Sequence, residues 1–310
     1  MDETQYRAAE RELWAWAGLE PTERRIRLPR SGTTVRVQEV GEGEPVVFVH
    51  GGPNSGSTWA PLVAHLDGFR CLLLDRPGTG LSDPLPDPGL DALIRFSETV
   101  LGDLLDASGL HSAHAVGSSL GGFVLLRGSA AEPERVERMI QMGCPAMVPG
   151  MLTPPFMRVL GTPVLGRLVR ALPPSERTGR MMLRQIGHGA SLDAGRFPAP
   201  FERWYLALQR HTDTMANDAD LISEAMGPRG FHARHTIPED VLSSVKAPTL
   251  LHWGADDTFG GEDVARRLVG LLPDAVLDLV PDGGHLPWLD DPVRSAATVI
   301  AFLGEASAPG

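Results

Sequence analysis

The sequence predicts an α/β protein with a mostly parallel sheet flanked by helices, and three observations carry that prediction. Short β-branched or aliphatic runs recur from residue 33 onward. Several are apolar almost throughout, as strands covered on both faces are. Helix-like segments separate the later runs, which is the alternation a parallel sheet requires.

In chain order, residues 3–17 read as an amphipathic helix with Tyr6, Ala9, Leu13, Trp16 and Ala17 near one face. It packs on the main body, covers the entrance to a site, or meets a second copy. The strand runs follow as VRVQEV, PVVFVH, RCLLLD, AHAVG, VERMIQMG, APTLLHWG and AVLDLVP. Helices are expected over 92–108, 119–131, 262–272 and 291–304. Residues 144–240 break the alternation: they show no clear strand, many Pro and Gly, and helical patches at 176–187 and 201–226. The expected organisation is a core made of 1–143 and 241–310, with 144–240 inserted as a helical lid. That insert holds seven of the ten Met residues, at 147, 151, 157, 181, 182, 215 and 226. Flexible, polarizable thioethers suit either a core or an adaptable pocket wall.

The chain carries 28 Lys+Arg against 39 Asp+Glu, a formal charge of −11. An acidic surface repels phosphate backbones, so nucleic acid is excluded as the main partner. With 42% hydrophobic residues, the 310-residue chain has the composition of a folded protein. Two cysteines, Cys71 and Cys144, do not make a disulfide scaffold. The N-terminus is charged from its second residue, unlike a signal peptide, and no apolar stretch reaches the roughly 18 residues that span a bilayer. The expected address is the cytoplasm, with no integral membrane segment.

The strongest chemical signal is Gly117-Ser118-Ser119-Leu120-Gly121, between the apolar run AHAV and a helix-like segment. A G-x-S-x-G sequence in a strand–turn–helix setting presents its central serine, Ser119, on a sharp turn, with helix N–H groups nearby. A serine hydroxyl needs a base, and the base an orienting acid. Of ten His, His285 stands out in Pro281-Asp282-Gly283-Gly284-His285, just past the last strand run. His232 and His235 have H-x-x-H spacing but lack a convincing further ligand, so no metal is expected. The acid should follow an earlier strand, and Asp256 and Asp257 after APTLLHWG compete for that place. An oxyanion hole needs backbone N–H groups. Gly52, in the turn His50-Gly51-Gly52-Pro53, can donate one, and Leu120 after the nucleophile can donate another. Pro53 cannot, having no N–H.

Together these motifs resemble the α/β-hydrolase fold superfamily over residues 33–305, with the middle insert matched in position only. The carriers are HGGP at 50–53, DRPGTGLSD at 75–83, GSSLGG at 117–122, WGADD at 253–257 and GGH at 283–285, with the family's order Ser, Asp, His. The resemblance implies Ser119 as nucleophile, His285 as base and one Asp as orienter. In related enzymes with the W-G-x-D-D pattern, the second Asp stands as far before the His as Asp257 does here, 285 − 257 = 28 residues, which selects Asp257. The insert occupies the family's cap position between the sixth and seventh core strands, and the Asp75-Arg76-Pro77-Gly78 turn is scaffold.

Departures narrow the chemistry. Haloalkane dehalogenases and epoxide hydrolases carry Asp at the elbow, where this chain has Ser119. Carbon–carbon bond hydrolases usually have Asn before the nucleophile and Trp after the His, and these positions are Ser118 and Leu286 here. Proline iminopeptidases share HGGP but usually carry Trp after the nucleophile and Gly after the Pro, where this chain has Leu120 and Asn54. The leading expectation is a serine hydrolase that cleaves a carboxylic ester or lactone of an apolar small molecule through an acyl-enzyme, without cofactor or metal. The alternative is hydrolysis of a carbon–carbon or peptide bond, or tailoring of a secondary metabolite. A non-catalytic ligand-binding protein on the same fold is the third reading. Oligomeric state cannot be read from these residues.

Overall fold

The computed structural model describes residues 2–160, 162, 173–227 and 230–304. Parts of the expected insert (161, 163–172 and 228–229) and the end of the core (305–310) lie outside the described residues. The strands are β1 (Thr22–Leu28), β2 (Thr33–Val40), β3 (Glu44–Val49), β4 (Phe69–Leu74), β5 (Ala113–Gly117), β6 (Val136–Met142), β7 (Met226–Gly227), β8 (Gly230–Phe231), β9 (Thr249–Gly254) and β10 (Ala275–Val280). Eight form one sheet in the order β1-β2-β4-β3-β5-β6-β9-β10, while β7 and β8 make a separate two-stranded pair. From β4 to β10 every pairing is parallel; β2 runs antiparallel to both β1 and β4.

The continuous apolar runs are explained by two cores. In β3, Val47 and Val49 face one and Val46 and Phe48 the other, and none of the four is exposed. The first core is closed by α3 (Leu90–Ser97), α4 (Val100–Ala107), α5 (Leu120–Ala131) and α12 (Glu262–Leu271), through Phe96, Leu104, Phe123 and Leu268. The second is closed by α1 (Glu3–Ala17), α2 (Ala60–Val63), α13 (Pro287–Asp290) and α14 (Pro292–Leu303), through Leu13, Leu62, Trp288 and Val299.

Several sequence expectations need correction. Residues 144–240, expected to hold no clear strand, contain the short β7–β8 pair. The sheet begins at residue 22, not 33: β1 reads as polar because of its arginines, yet Ile26 and Leu28 turn inward. The helix expected over 92–108 is two helices, broken at Glu98 and Thr99, where Arg30 Nη2 takes the Thr99 carbonyl at 2.7 Å. The patch at 201–226 is likewise α9 (Ala199–His211) and α10 (Thr214–Ala225), with Thr212 extended between them. The remaining helices between β6 and β9 are α6 (Pro155–Leu160), α7 (Glu176–Gln185), α8 (Gly189–Asp193) and α11 (Glu239–Ser243).

α1 packs on the body of the protein, but on a different stripe from the one its apolar residues predict. Tyr6, Glu10, Leu13 and Trp14 are buried, while Trp16 is 45% exposed. Arg36 makes the difference: its guanidinium donates to both Glu10 oxygens at 2.9 and 2.6 Å, so a carboxylate becomes a buried position. Glu10 also accepts from Tyr6 Oη at 2.9 Å and Ser57 Oγ at 2.6 Å, and Tyr6 Oη lies 3.0 Å from Ser55 Oγ. On its other side α1 meets α9, through an Arg203–Glu12 ion pair and a bond from Asp2 N to the His211 carbonyl at 2.9 Å.

Candidate active site

Four loops leave the carboxyl ends of parallel strands and meet over the sheet, where open α/β sheets bind ligands. They follow β3, β5, β9 and β10 and carry Gly52, Ser119, Asp257 and His285 respectively. Ser119 sits between β5 and α5 with φ 52° and ψ −118°, a region L-residues rarely occupy. The turn is this tight because Gly121 brings α5 against β3. A Cβ on Gly121 would stand 1.9 Å from the Val49 carbonyl oxygen, so only hydrogen fits.

His285 Nδ1 lies 2.8 Å from Asp257 Oδ2. That carboxylate also accepts from Cys144 N at 2.8 Å and, through Oδ1, from Phe259 N at 2.9 Å. Three donors around one buried carboxylate fix its direction toward His285. Asp256 is exposed and Asp257 is 4% exposed. Burial, reinforced by the Asp257 charge, pushes the Cys144 thiol well above its ordinary pKa, so it stays protonated and unreactive beside the pair.

Ser119, His285, Gly52 and Leu120 all line one cavity of about 160 Å³. Leu120 is the first residue of α5, so its N–H has no carbonyl one turn back to bond and is available to a ligand. Gly52 belongs to the turn after β3, which His50 and Arg76 hold. The His50 Nδ1–H points at the Gly51 carbonyl at 2.6 Å, while Nε2 accepts from Arg76 N at 3.1 Å. The Arg76 guanidinium donates to the His50 and Gly51 carbonyls at 3.0 and 3.1 Å. Its Nη2 also donates to Asp218 Oδ2 on α10, another residue of the cavity wall. The Asp75-Arg76 turn therefore does more than brace the core; it links the Gly52 turn to the insert.

The cavity wall is apolar, drawn from α3, α5, α6, α7, α9 and α10, from β8 and from the loops around them. Five of the seven insert methionines contribute: Met147, Met151, Met157, Met182 and Met215. Of the other two, Met226 is buried nearby and Met181 is exposed. Sequence reasoning missed Asp218 and His188, the latter a fully buried residue between α7 and α8. Their partners lie 142 and about 100 residues away, and no local pattern announces them.

A second Ser, His and Asp set exists outside the cavity. His252 Nδ1 is 2.8 Å from Asp278 Oδ2, and its Nε2 is 2.9 Å from Ser295 Oγ. His252 and Ser295 have no exposure, so no substrate reaches them. His232 and His235, the H-x-x-H pair, face each other with ring centroids 6.0 Å apart, and Arg234 Nε donates to His235 Nε2. Among the described residues, no group of three or more His, Cys, Asp or Glu is arranged around a metal position. No described helix is long and apolar enough to cross a membrane.

Residues 46–298 match the model of the alpha/beta hydrolase family. The chain belongs to that family. Among curated relatives of this alpha/beta hydrolase, a 2-hydroxy-6-oxononadienedioate/2-hydroxy-6-oxononatrienedioate hydrolase of Cupriavidus pinatubonensis is 31% identical over 87% of the chain and 90% of that protein. A 2-hydroxy-6-oxo-6-phenylhexa-2,4-dienoate hydrolase of Burkholderia cepacia is also 31% identical, over 82% of the chain and 86% of its own length. Among solved structures, a carboxylesterase of Bacillus subtilis superposes with a TM-score of 0.76 at 21% identity, covering 97% and 98% of the two chains. A 2-hydroxy-6-oxo-6-phenylhexa-2,4-dienoate hydrolase of Rhodococcus gives 0.76 at 20%, covering 92% and 99%. At these identities the solved structures establish the fold of the hydrolase alone.

Proposed function

We propose that this hydrolase cleaves the bond between an acyl carbon and its leaving group in an apolar small molecule, through Ser119, His285 and Asp257. The observation that carries this reading is that Ser119, His285, Gly52 and Leu120 line one cavity, with Asp257 2.8 Å behind His285 Nδ1. Ser119 Oγ attacks the acyl carbon while His285 takes its proton. Asp257 holds the imidazole orientation and stabilises the imidazolium. The Gly52 and Leu120 N–H groups receive the oxyanion. The imidazolium then protonates the leaving group, and water activated by His285 releases the acid. The insert, residues 144–240 in our reading, acts as a cap whose thioethers shape the wall to the substrate. Two buried free thiols agree with a reducing, cytoplasmic setting.

Carbon–carbon hydrolysis takes precedence over the ester expected from the motifs, because two curated relatives at 31% identity bear the names of 2-hydroxy-6-oxo-dienoate-type hydrolases. Such a bond breaks only when the carbon leaving group departs as a stabilised enolate, which a vinylogous 1,5-diketone provides. The second reading, an ester or lactone, is favoured by Ser118 and Leu286, where carbon–carbon hydrolases usually have Asn and Trp.

The test is turnover of a vinylogous 1,5-diketone beside a p-nitrophenyl ester series, with Ser119→Ala as the blank. Cleavage of the diketone that falls by on the order of 10⁶ in Ser119→Ala supports the first reading. Ser119-dependent ester turnover alone supports the second. Turnover of either compound at the same rate in Ser119→Ala overturns the mechanism.

A further inference from the structure

The loop carrying His285 is held at three successive residues, two of them from the insert. Three successive backbone N–H groups are each taken by a different acceptor. Gly284 N donates to Asp290 Oδ2 at 2.8 Å, His285 N to the Ile186 carbonyl at 2.9 Å, and Leu286 N to His188 Nε2 at 3.2 Å. Ile186 and His188 both belong to the segment between α7 and α8. His188 is fully buried, and its Nδ1 lies 2.9 Å from both oxygens of Asp290. An imidazole that accepts at Nε2 and faces a carboxylate at Nδ1 carries its proton on Nδ1. Ser191 Oγ donates to the same carboxylate.

The same segment touches the acid loop. Thr258 Oγ1 donates to the Gln185 carbonyl at 3.0 Å. Gly187, at φ +100°, sits so close that a Cβ there would stand 2.3 Å from the Asp256 carbonyl oxygen and 2.9 Å from Gly284 Cα. Residues 185–188 are thus wedged between the loops that supply Asp257 and His285.

We propose that His188 is a positioning residue for His285: through the Leu286 N–H and Asp290 it sets the base loop, so that seating of the insert assembles the Ser119–His285–Asp257 geometry. This rests on the reading of His285 as the base for Ser119. The Leu286 N–H and the Asp290 carboxylate are buried groups; without the imidazole between them, one loses its acceptor and the other a donor. The loop then relaxes, and a displacement of about 1 Å at a reacting group costs up to about a hundredfold in rate.

The experiment follows the rate at which diisopropyl fluorophosphate labels Ser119. In that step Ser119 Oγ forms a bond to phosphorus, fluoride leaves, and the serine proton passes to His285, so no natural substrate is needed. His188→Ala is expected to label about ten- to a hundredfold more slowly than the parent. It should also lose the far-downfield proton resonance of the His285–Asp257 hydrogen bond. His188→Gln places an amide oxygen near the Nε2 position and keeps an acceptor for Leu286 N, whereas His188→Asn keeps only a donor to Asp290. The expected order is parent, then His188→Gln, with His188→Asn and His188→Ala slowest. Should His188→Ala fail to fold, the Gln and Asn pair decides: equal labelling by the two overturns the proposal. Parent-like labelling and resonance in a folded His188→Ala also overturn it, leaving the function intact. Absence of Ser119 labelling in the parent instead overturns the functional reading.

Discussion

Arg76 and Asp218 meet at 2.8 Å across 142 residues of sequence, and each is almost wholly buried. One guanidinium thereby serves both the turn that presents Gly52 and the α10 wall of the cavity. Burial raises the Asp218 carboxyl above its ordinary pKa, and the Arg76 charge opposes that rise. A pair of this kind adds little over an apolar pair of equal volume, but losing one member strands the other.

Asp218→Ala is therefore expected to lower the free energy of unfolding by about 3–5 kcal/mol, because Arg76 keeps a buried charge with no counter-ion. Arg76→Met also strands the His50 and Gly51 carbonyls, so the double variant Arg76→Met with Asp218→Ala should lose less than the sum of the two single variants without returning to the parent. Urea unfolding of the single and double variants checks this. Losses that simply add would show that the two residues are not coupled.

His50 sets a pH dependence. Burial, and then the Arg76 charge, hold its imidazole well below the ordinary value of 6.5. Protonating Nε2 would also remove the acceptor of Arg76 N. As pH falls below about 6.5, the unfolded chain takes up this proton and the folded chain does not. The unfolded state is then favoured, so the stability associated with His50 is complete above pH 6.5 and is lost progressively below it. The slope from this group approaches about 1.4 kcal/mol per pH unit. Unfolding free energies between pH 7.5 and 5.5 should fall less steeply in a folded His50→Asn variant than in the parent.

The adjacent aspartates separate cleanly by environment. Asp257→Asn is expected to lower turnover by on the order of 10⁴, since an amide can hold the imidazole in the wrong tautomer. Asp256→Asn, at an exposed position, should stay within about threefold of the parent. Steady-state rates of both variants on any Ser119-dependent substrate test this, and comparable losses would contradict the assignment of the acid.

Ser295→Ala is the matching control for the buried His252 set. Removing one hydrogen bond to a sealed imidazole should lower stability by about 1 kcal/mol and leave Ser119-dependent turnover unchanged. A thermal melt paired with one activity assay is sufficient. A large loss of turnover at parent stability would give that set a role in the chemistry.

Ser119 and the Gly52 turn could be recognised in the sequence because their geometry is local. A sharp strand-to-helix turn needs small residues at fixed offsets, and Gly121 records that need in one letter. The parallel order of the sheet was recognisable for a similar reason, since strands such as β3 are covered on both faces. β1 is hidden because Arg25 and Arg27 face outward while Arg24 shares the face of Ile26 and Leu28, which masks their alternation. The buried stripe of α1 is not legible in sequence because Glu10 is charged, and only its distant partner Arg36 makes it an inward position. Asp256 and Asp257 are chemically identical and adjacent, so residue type alone cannot separate them; the N–H groups of Cys144 and Phe259 do. His188 and Asp218 draw their meaning entirely from tertiary contacts.

The bonds of α1 run to Glu23 and Arg36 on β1 and β2, to Ser55 and Ser57 beside the Gly52 turn, and to Arg203 and His211 on α9. All of them are non-covalent, and only the connector Gly18-Leu19-Glu20-Pro21 joins the helix to the strand that follows. Cutting that connector is expected to leave the helix, residues 3–17, seated as a bound peptide. The nicked protein should then behave as a two-component complex, its activity falling on dilution and returning when the synthetic peptide is added back.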